Sequence, residues 1–198
     1  YEMFFDDAIV VSKELELTLT GKSCGAEERA PMCGVPYHAV EGYLNKLVAN
    51  GHKVAICEQV EDPKLAKGLV KREVIRIVTP GTNTDMQALD ESKNNYIMCI
   101  VYLADKYGIS LADISTGDYF VTEVDTERKL IDEINKFAPS EIICNESFYM
   151  SGVDLSDMKN RLGIAVYSLE AWYFSDETAE NTLKEHFKVQ SLEGFGLS

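Results

Sequence analysis

The chain has 198 residues, 45% of them apolar, which suits one large domain or two small ones with a core of useful size. No apolar run reaches the roughly 18–20 residues that a membrane helix needs, and Asp6 and Asp7 stand where a basic leader would, so a cytoplasmic chain with no membrane partner is expected. The net charge of −14 is divided unevenly: residues 1–82 hold 10 Lys/Arg against 12 Asp/Glu, whereas 83–198 hold 9 against 21. The acidic back therefore offers no basic face to a nucleic acid and suits a protein partner better.

Cys24, Cys33, Cys57, Cys99 and Cys144 are odd in number, scattered, and without a Cys-x-x-Cys or a nearby His pair. This pattern predicts reduced thiols rather than a disulfide frame or a zinc site.

In chain order, Phe4 and Phe5 suit the packing of a strand or first turn. Ser23–Pro36, with Gly25, Pro31, Gly34 and Pro36, reads as a loop. Pro36 opens a segment with Val40, Tyr43, Leu44, Leu47 and Val48 at helical spacing, and Gly51 stands at the C-cap position. Lys53–Cys57 and Glu73–Val78 are β-branched runs that predict strands joined by a charged crossover. The breaker-rich stretch from Pro80 to Asn95 predicts a first domain over 1–82, a linker over 83–94 and a second domain over 95–198.

Three apolar runs, Ile97–Ala104, Ile109–Ile114 and Tyr119–Val124, separated by turn signals at Lys106–Gly108 and Thr116–Asp118, predict an antiparallel three-stranded start to the second domain. Glu127–Phe137 follows as a helix with Leu130, Ile131, Ile134 and Phe137 on one face, then strands at Glu141–Cys144 and near Ile164–Tyr167. Asp176–Phe187 reads as a last helix, N-capped by Ser175, with a narrow stripe of Ala179, Leu183 and Phe187. That stripe leaves Glu180, Asn181, Lys184 and Glu185 facing solvent. Both halves are α/β, and the second is three-layered.

The order of Tyr-Glu-Met-Phe-Phe-Asp-Asp-Ala (1–8), Pro-Met-Cys-Gly-Val-Pro-Tyr-His (31–38), Val-Ala-Ile-Cys-Glu-Gln (54–59) and Ile-Val-Thr-Pro-Gly-Thr (77–82) resembles the front end of the MutS-type DNA mismatch-repair family, and the likeness continues more loosely to Gly194–Leu197. The resemblance implies a mixed α/β mismatch-recognition domain followed by a connector domain with a ribonuclease-H-like fold. It implies mismatched double-stranded DNA, a MutL-type protein and other MutS domains as partners, in a parent protein that works as a homodimer.

The family reads a mismatch with a Phe-x-Glu motif, in which the ring wedges beside the mispaired base and the carboxyl group bonds to it. A mispaired step is easier to unstack and kink than a paired one. By resemblance Glu2 takes the Glu position and Tyr1 the middle one. The Phe expected before Tyr1 is absent, so the sequence is expected to begin after a disordered or removed segment. The resemblance also sets Pro31 and Met32 near the DNA minor groove, where a flexible thioether can pack on a sugar or base edge. Met32 and Val35 equally suit a cap on the domain core.

Lys64, Lys67, Lys71, Arg72 and Arg76 form the only basic run, able to steer a phosphate backbone or simply to solvate a loop and strand face. Lys67 and Arg72 are its DNA-contact candidates. Asn181 and Thr182 on the last helix are the candidates for docking a MutL-type partner.

No Gly-x-x-x-x-Gly-Lys-Ser/Thr loop occurs, so the family's ATPase, with its ATP and magnesium, is expected elsewhere in the parent protein. The reading is of a non-catalytic fragment with no cofactor or metal of its own. His38, His52 and His186 lie in unrelated elements. Asp113 and Asp118 bracket a Ser-Thr-Gly turn; they suit turn formation, or the inward carboxylates of a metal-dependent nuclease. The main alternative reading is an interaction module with no DNA binding of its own, and the nuclease is the third.

Overall fold

A computed structural model describes residues 1–23, 25, 28–85 and 93–197; Cys24, residues 86–92 of the expected linker, and parts of the expected 23–36 loop lie outside the described residues. The chain divides into two compact units, Tyr1–Lys93 and Asn94–Ser198, both mixed α/β.

In unit 1, β1 (Glu2–Phe4) runs straight into α1 (Phe5–Glu14), with Phe5 in the left-handed region at φ 52°. Ala8, Val11 and Leu15 recur at helical spacing and are buried against Cys33 and Leu47. Phe4 is half-buried, but Phe5 is 63% exposed and packs no core, contrary to expectation. The expected 23–36 loop is shorter than its composition suggests: Ala30–Gly34 forms β3, the middle strand of a sheet ordered β1, β3, β2, with β2 at Thr20–Lys22. Both pairings are antiparallel, and Pro31 stands opposite Gly21. The helix expected after Pro36 is a 3-10 turn, Tyr37–Ala39, continuing into α2 (Val40–Ala49), whose Leu44, Leu47 and Val48 are buried. Gly51, at φ 86°, donates to the Val48 carbonyl (2.9 Å) and closes the helix as a C-cap glycine does.

Strands β4 (Val54–Gln59) and β5 (Arg72–Val78) form an antiparallel pair. The charged segment between them is thus a hairpin connection and not a crossover; apolar alternation marks a strand without marking its direction. After β5, the Thr79 and Thr82 side chains form a capping box around the turn at Pro80–Thr82. Asn83 donates to the Asn45 side chain (3.1 Å), and Asn45 donates to Asp85 (2.6 Å), tying the exit of unit 1 to α2.

Unit 2 opens with an antiparallel meander, β6 (Tyr96–Leu103), β7 (Lys106–Asp113) and β8 (Asp118–Val124). Helix α3 (Glu127–Phe137) leads to β9 (Glu141–Cys144), which lies parallel to β6, and β10 (Ala165–Ser168) lies parallel to β9. The sheet order is β10, β9, β6, β7, β8, with the first strand of the unit in the centre and the second reversed. This is the ribonuclease-H-like arrangement that the resemblance implies.

Leu130 and Ile134 of α3, Phe148 of α4 (Glu146–Tyr149) and Met158 of α5 (Leu155–Leu162) share one core with Met98, Ile100, Leu111 and Ile142 of the sheet. These helices form one outer layer. Phe120 joins them through Phe137, whereas its neighbour Tyr119 meets Phe187 of α6 (Asp176–Phe187). Successive strand residues face opposite ways, so α6 belongs to a third layer. Ser175 is the N-cap residue of α6, but its side chain makes no capping bond, and no residue of that helix is buried. Among the described residues, no helix is long and apolar enough to cross a membrane.

Candidate nucleic-acid interface

Cross-strand register decides which side chains share a face. In the small sheet of unit 1, Glu2 is opposite Gly34, Phe4 is opposite Met32, Met32 is opposite Thr20 and Ala30 is opposite Lys22. Glu2, Phe4, Met32, Thr20 and Lys22 therefore stand on one face. Cys33 points the other way, where its thiol donates to the Ala8 carbonyl of α1 (3.5 Å). With α1 covering the back, the Glu2 face is the one turned to solvent: Glu2, Thr20 and Lys22 are exposed, and Phe4 and Met32 are half-buried.

Glu2 and Met32, expected in the site, are thus brought onto one surface. Lys22 is the residue that sequence reasoning missed. Its ammonium donates to the Glu2 carboxylate (2.6 Å) and lies 5.4 Å from the Phe4 ring centroid. Only the alternation of Leu17-Thr18-Leu19-Thr20 before it hinted at a strand there.

Tyr1 and Pro31 lie on the opposite face. The Tyr1 nitrogen donates to the Val35 carbonyl (2.8 Å), and the Val35 nitrogen donates back to the Tyr1 carbonyl (2.9 Å). The Tyr1 ring stacks on Tyr37 at 5.7 Å and its hydroxyl donates to Glu58. That hydrogen bond, reinforced by burial and by repulsion between carboxylate and phenolate, pushes the phenol up to about 12, so Tyr1 keeps its proton. A cleft of about 900 Å³ opens beside it, lined by Met3, Val11, Tyr43, Leu47 and Ile56 among others.

Members of the basic run differ in their surroundings. Lys71 pairs with Glu73 (2.5 Å) and Arg76 with Glu41 (2.9 Å). Arg72 donates to the Val70 carbonyl (3.1 Å), and Lys67 is exposed in the hairpin connection with no ion pair among the described residues. In unit 2, Asn181 is exposed on α6, while the Thr182 hydroxyl donates to the Thr178 carbonyl one turn back (2.7 Å).

Asp113 is 1% exposed, and both its oxygens are occupied. One accepts from the Ser115 nitrogen (2.8 Å) and hydroxyl (2.6 Å), the other from Asn94 Nδ2 (2.9 Å) and the Asn95 nitrogen (3.0 Å). Burial alone would raise its pKa, but these donors outweigh it and hold the carboxyl down at about 2. The geometry is that of a turn former between β7 and β8. Among the described residues no group of three or more His, Cys, Asp or Glu is arranged to hold a metal, and Cys33, Cys57, Cys99 and Cys144 are free thiols.

The two mixed α/β units, one of them with an open face at Glu2, define the class of a modular two-domain α/β protein. Residues 1–87 match the family model of MutS domain I and residues 95–198 that of MutS domain II, and the chain belongs to the MutS family. Its curated relatives include proteins named DNA mismatch repair protein MutS from Lachnoclostridium phytofermentans, 66% identical across the whole chain, and Acetivibrio thermocellus, 52% identical over 98% of it. A third, from Ruminiclostridium cellulolyticum, is 51% identical over 97%. The chain spans 21–22% of the length of these relatives.

Proposed function

We propose that unit 1 reads mispaired or unpaired bases in duplex DNA, and that unit 2 passes the DNA-bound state to the rest of a cytoplasmic MutS-type protein and docks a MutL-type partner. In this reading the fragment is not itself an enzyme; ATP and magnesium belong to other parts of the parent homodimer. The observation that carries the reading is the strand register that sets Glu2 and Met32 on one solvent-facing surface. A carboxyl group there can bond to an unpaired base edge while Met32 packs against sugar or base.

In the full-length protein, Glu2→Ala is expected to change the ratio of affinities for a G·T duplex and its matched twin by roughly 5–150-fold, as loss of a base-edge contact worth about 1–3 kcal/mol does. Fluorescence anisotropy reads that ratio directly. An unchanged ratio would remove Glu2 from the site.

A second reading, an interaction module without DNA binding, draws support from the acids that neutralise Lys71 and Arg76. Charge reversal at Lys67 and Arg72 separates the two. Under DNA binding, the pair Lys67→Glu and Arg72→Glu lowers affinity for matched and mismatched duplexes alike and flattens the dependence of log K on log salt by roughly 1 for each phosphate no longer neutralised. Under the second reading, neither quantity moves.

A further inference from the structure

We propose that Lys22 is a specificity-positioning residue: it holds the Glu2 carboxylate in the free protein and competes with a base edge for it when DNA is bound. The inference rests on the mismatch-reading role given to Glu2 above. Glu2 and Lys22 come from the two edge strands of the small sheet and meet across β3. Gly34, opposite Glu2, lets β1 lie close: a Cβ there would sit 3.0 Å from the Tyr1 carbonyl oxygen, and the backbone would have to give by a few tenths of an ångström. The Lys22 ammonium passes 5.4 Å from the Phe4 ring, which favours the cation on that side.

Both partners are 48% exposed, so the pair contributes little to stability. Its consequence lies at the interface. A bare carboxylate facing a polyanion is repelled, and a paired one is not. On a matched duplex, whose base edges are satisfied by their own partners, Glu2 stays with Lys22 and the pair is electrically silent. On a mismatch, an unpaired donor on a base competes for the carboxylate, and Lys22 sets how strong that donor must be. Lys22 thus tolerates matched DNA and raises the threshold for a mismatch signal; both effects lower discrimination.

The test is a mutant cycle in the full-length protein, titrated by anisotropy against a G·T duplex and its matched twin. Lys22→Met is expected to weaken matched binding more than mismatched binding and to raise the mismatch-to-match ratio about threefold, the scale of an exposed ion pair. Lys22→Arg keeps the parent ratio. In a Glu2→Gln background, Lys22→Met leaves the ratio where Glu2→Gln put it. If Lys22→Met shifts the ratio equally in both backgrounds, or lowers both affinities equally, Lys22 acts on phosphate alone and the inference is overturned. If the ratio depends on Glu2 but not on Lys22, the inference fails and the role of Glu2 stands. If Glu2→Gln itself leaves the ratio unchanged, the role of Glu2 fails and the inference falls with it.

Discussion

Phe148→Ala is expected to destabilise unit 2 by about 3–5 kcal/mol, the range for truncating a fully buried aromatic ring. Phe148 is 0% exposed and sits among Met98, Ile100, Tyr107 and Met158, with its ring edge-on to Tyr107 at 6.3 Å and 85°. The short helix that carries it has no freedom to follow a shrinking side chain. Asn145 caps that helix by accepting from the Phe148 nitrogen (3.1 Å), and the same side chain accepts from the Tyr102 nitrogen and donates to the Tyr102 carbonyl (both 3.1 Å). The ring is therefore held by its own backbone at the end of β6, and its removal leaves a cavity instead of a collapsed core. Amide hydrogen exchange in β6 and β9 reads the change within unit 2. Phe5→Ala, at a ring 63% exposed in unit 1, serves as the contrast and is expected to stay within about 0.5 kcal/mol. Protection in β6 that falls by less than about 1 kcal/mol in Phe148→Ala would contradict the packing of this core.

Where hydrophobic period and capping residues agree, the fold is legible in the sequence. Helix α3 has Thr126 as N-cap, accepting from the Lys129 nitrogen, and buries Leu130 and Ile134 as their spacing requires. Even there the end is hidden: Ala138 closes the helix at φ 43°, a conformation usually assigned to glycine. The same substitution of context for propensity moves the turn between β6 and β7. Gly108 suggests a turn at Lys106–Gly108, but Ala104 and Asp105 take it, at φ 50° and 60°. The reason is burial: Tyr107, Ile109 and Leu111 must all face the core, and this phase puts Gly108 inside β7. Pro31 misleads in the opposite direction, since a proline in a Gly-rich stretch reads as a loop, yet Ala30–Gly34 is a central strand. The candidate site is legible only in part for a related reason. Glu2 and Met32 are reached through resemblance, but Lys22 enters through cross-strand register, a long-range property that no local pattern carries.

Asp113 supplies the other large effect, and its sign is fixed by chemistry. Its pKa near 2 lies below the ordinary carboxylate value, so the folded state favours the ionised form. The stabilisation is complete above about pH 4 and is lost as pH falls toward 2, an amount on the order of 2 kcal/mol. Asp113→Ala removes it and takes the acceptor from four donors, of Asn94, Asn95 and Ser115, although Asn94 and Ser115 are exposed and can turn to water. A cost of about 2 kcal/mol at neutral pH follows, within the roughly 1.5–3 kcal/mol that hydrogen bonds to a charged group are worth. Asp113→Asn keeps the shape and part of the bonding but cannot ionise. It is expected to be less stable than the parent at pH 7 and to lose less stability on acidification, so that the two curves converge below pH 3. Urea unfolding at pH 7, 5, 4 and 3 separates these outcomes. Glu14, Asp125, Asp154 and Asp157 also have lowered values, but all four are shared by parent and variant, so the difference between the curves isolates Asp113. Curves that stay parallel from pH 7 to 3 would mean that the β7–β8 turn is held by its backbone alone. The same side chain separates a turn former from a metal-binding acid. A turn former costs stability when removed, whatever the divalent cation concentration, whereas a metal ligand costs stability only when magnesium is present to be bound.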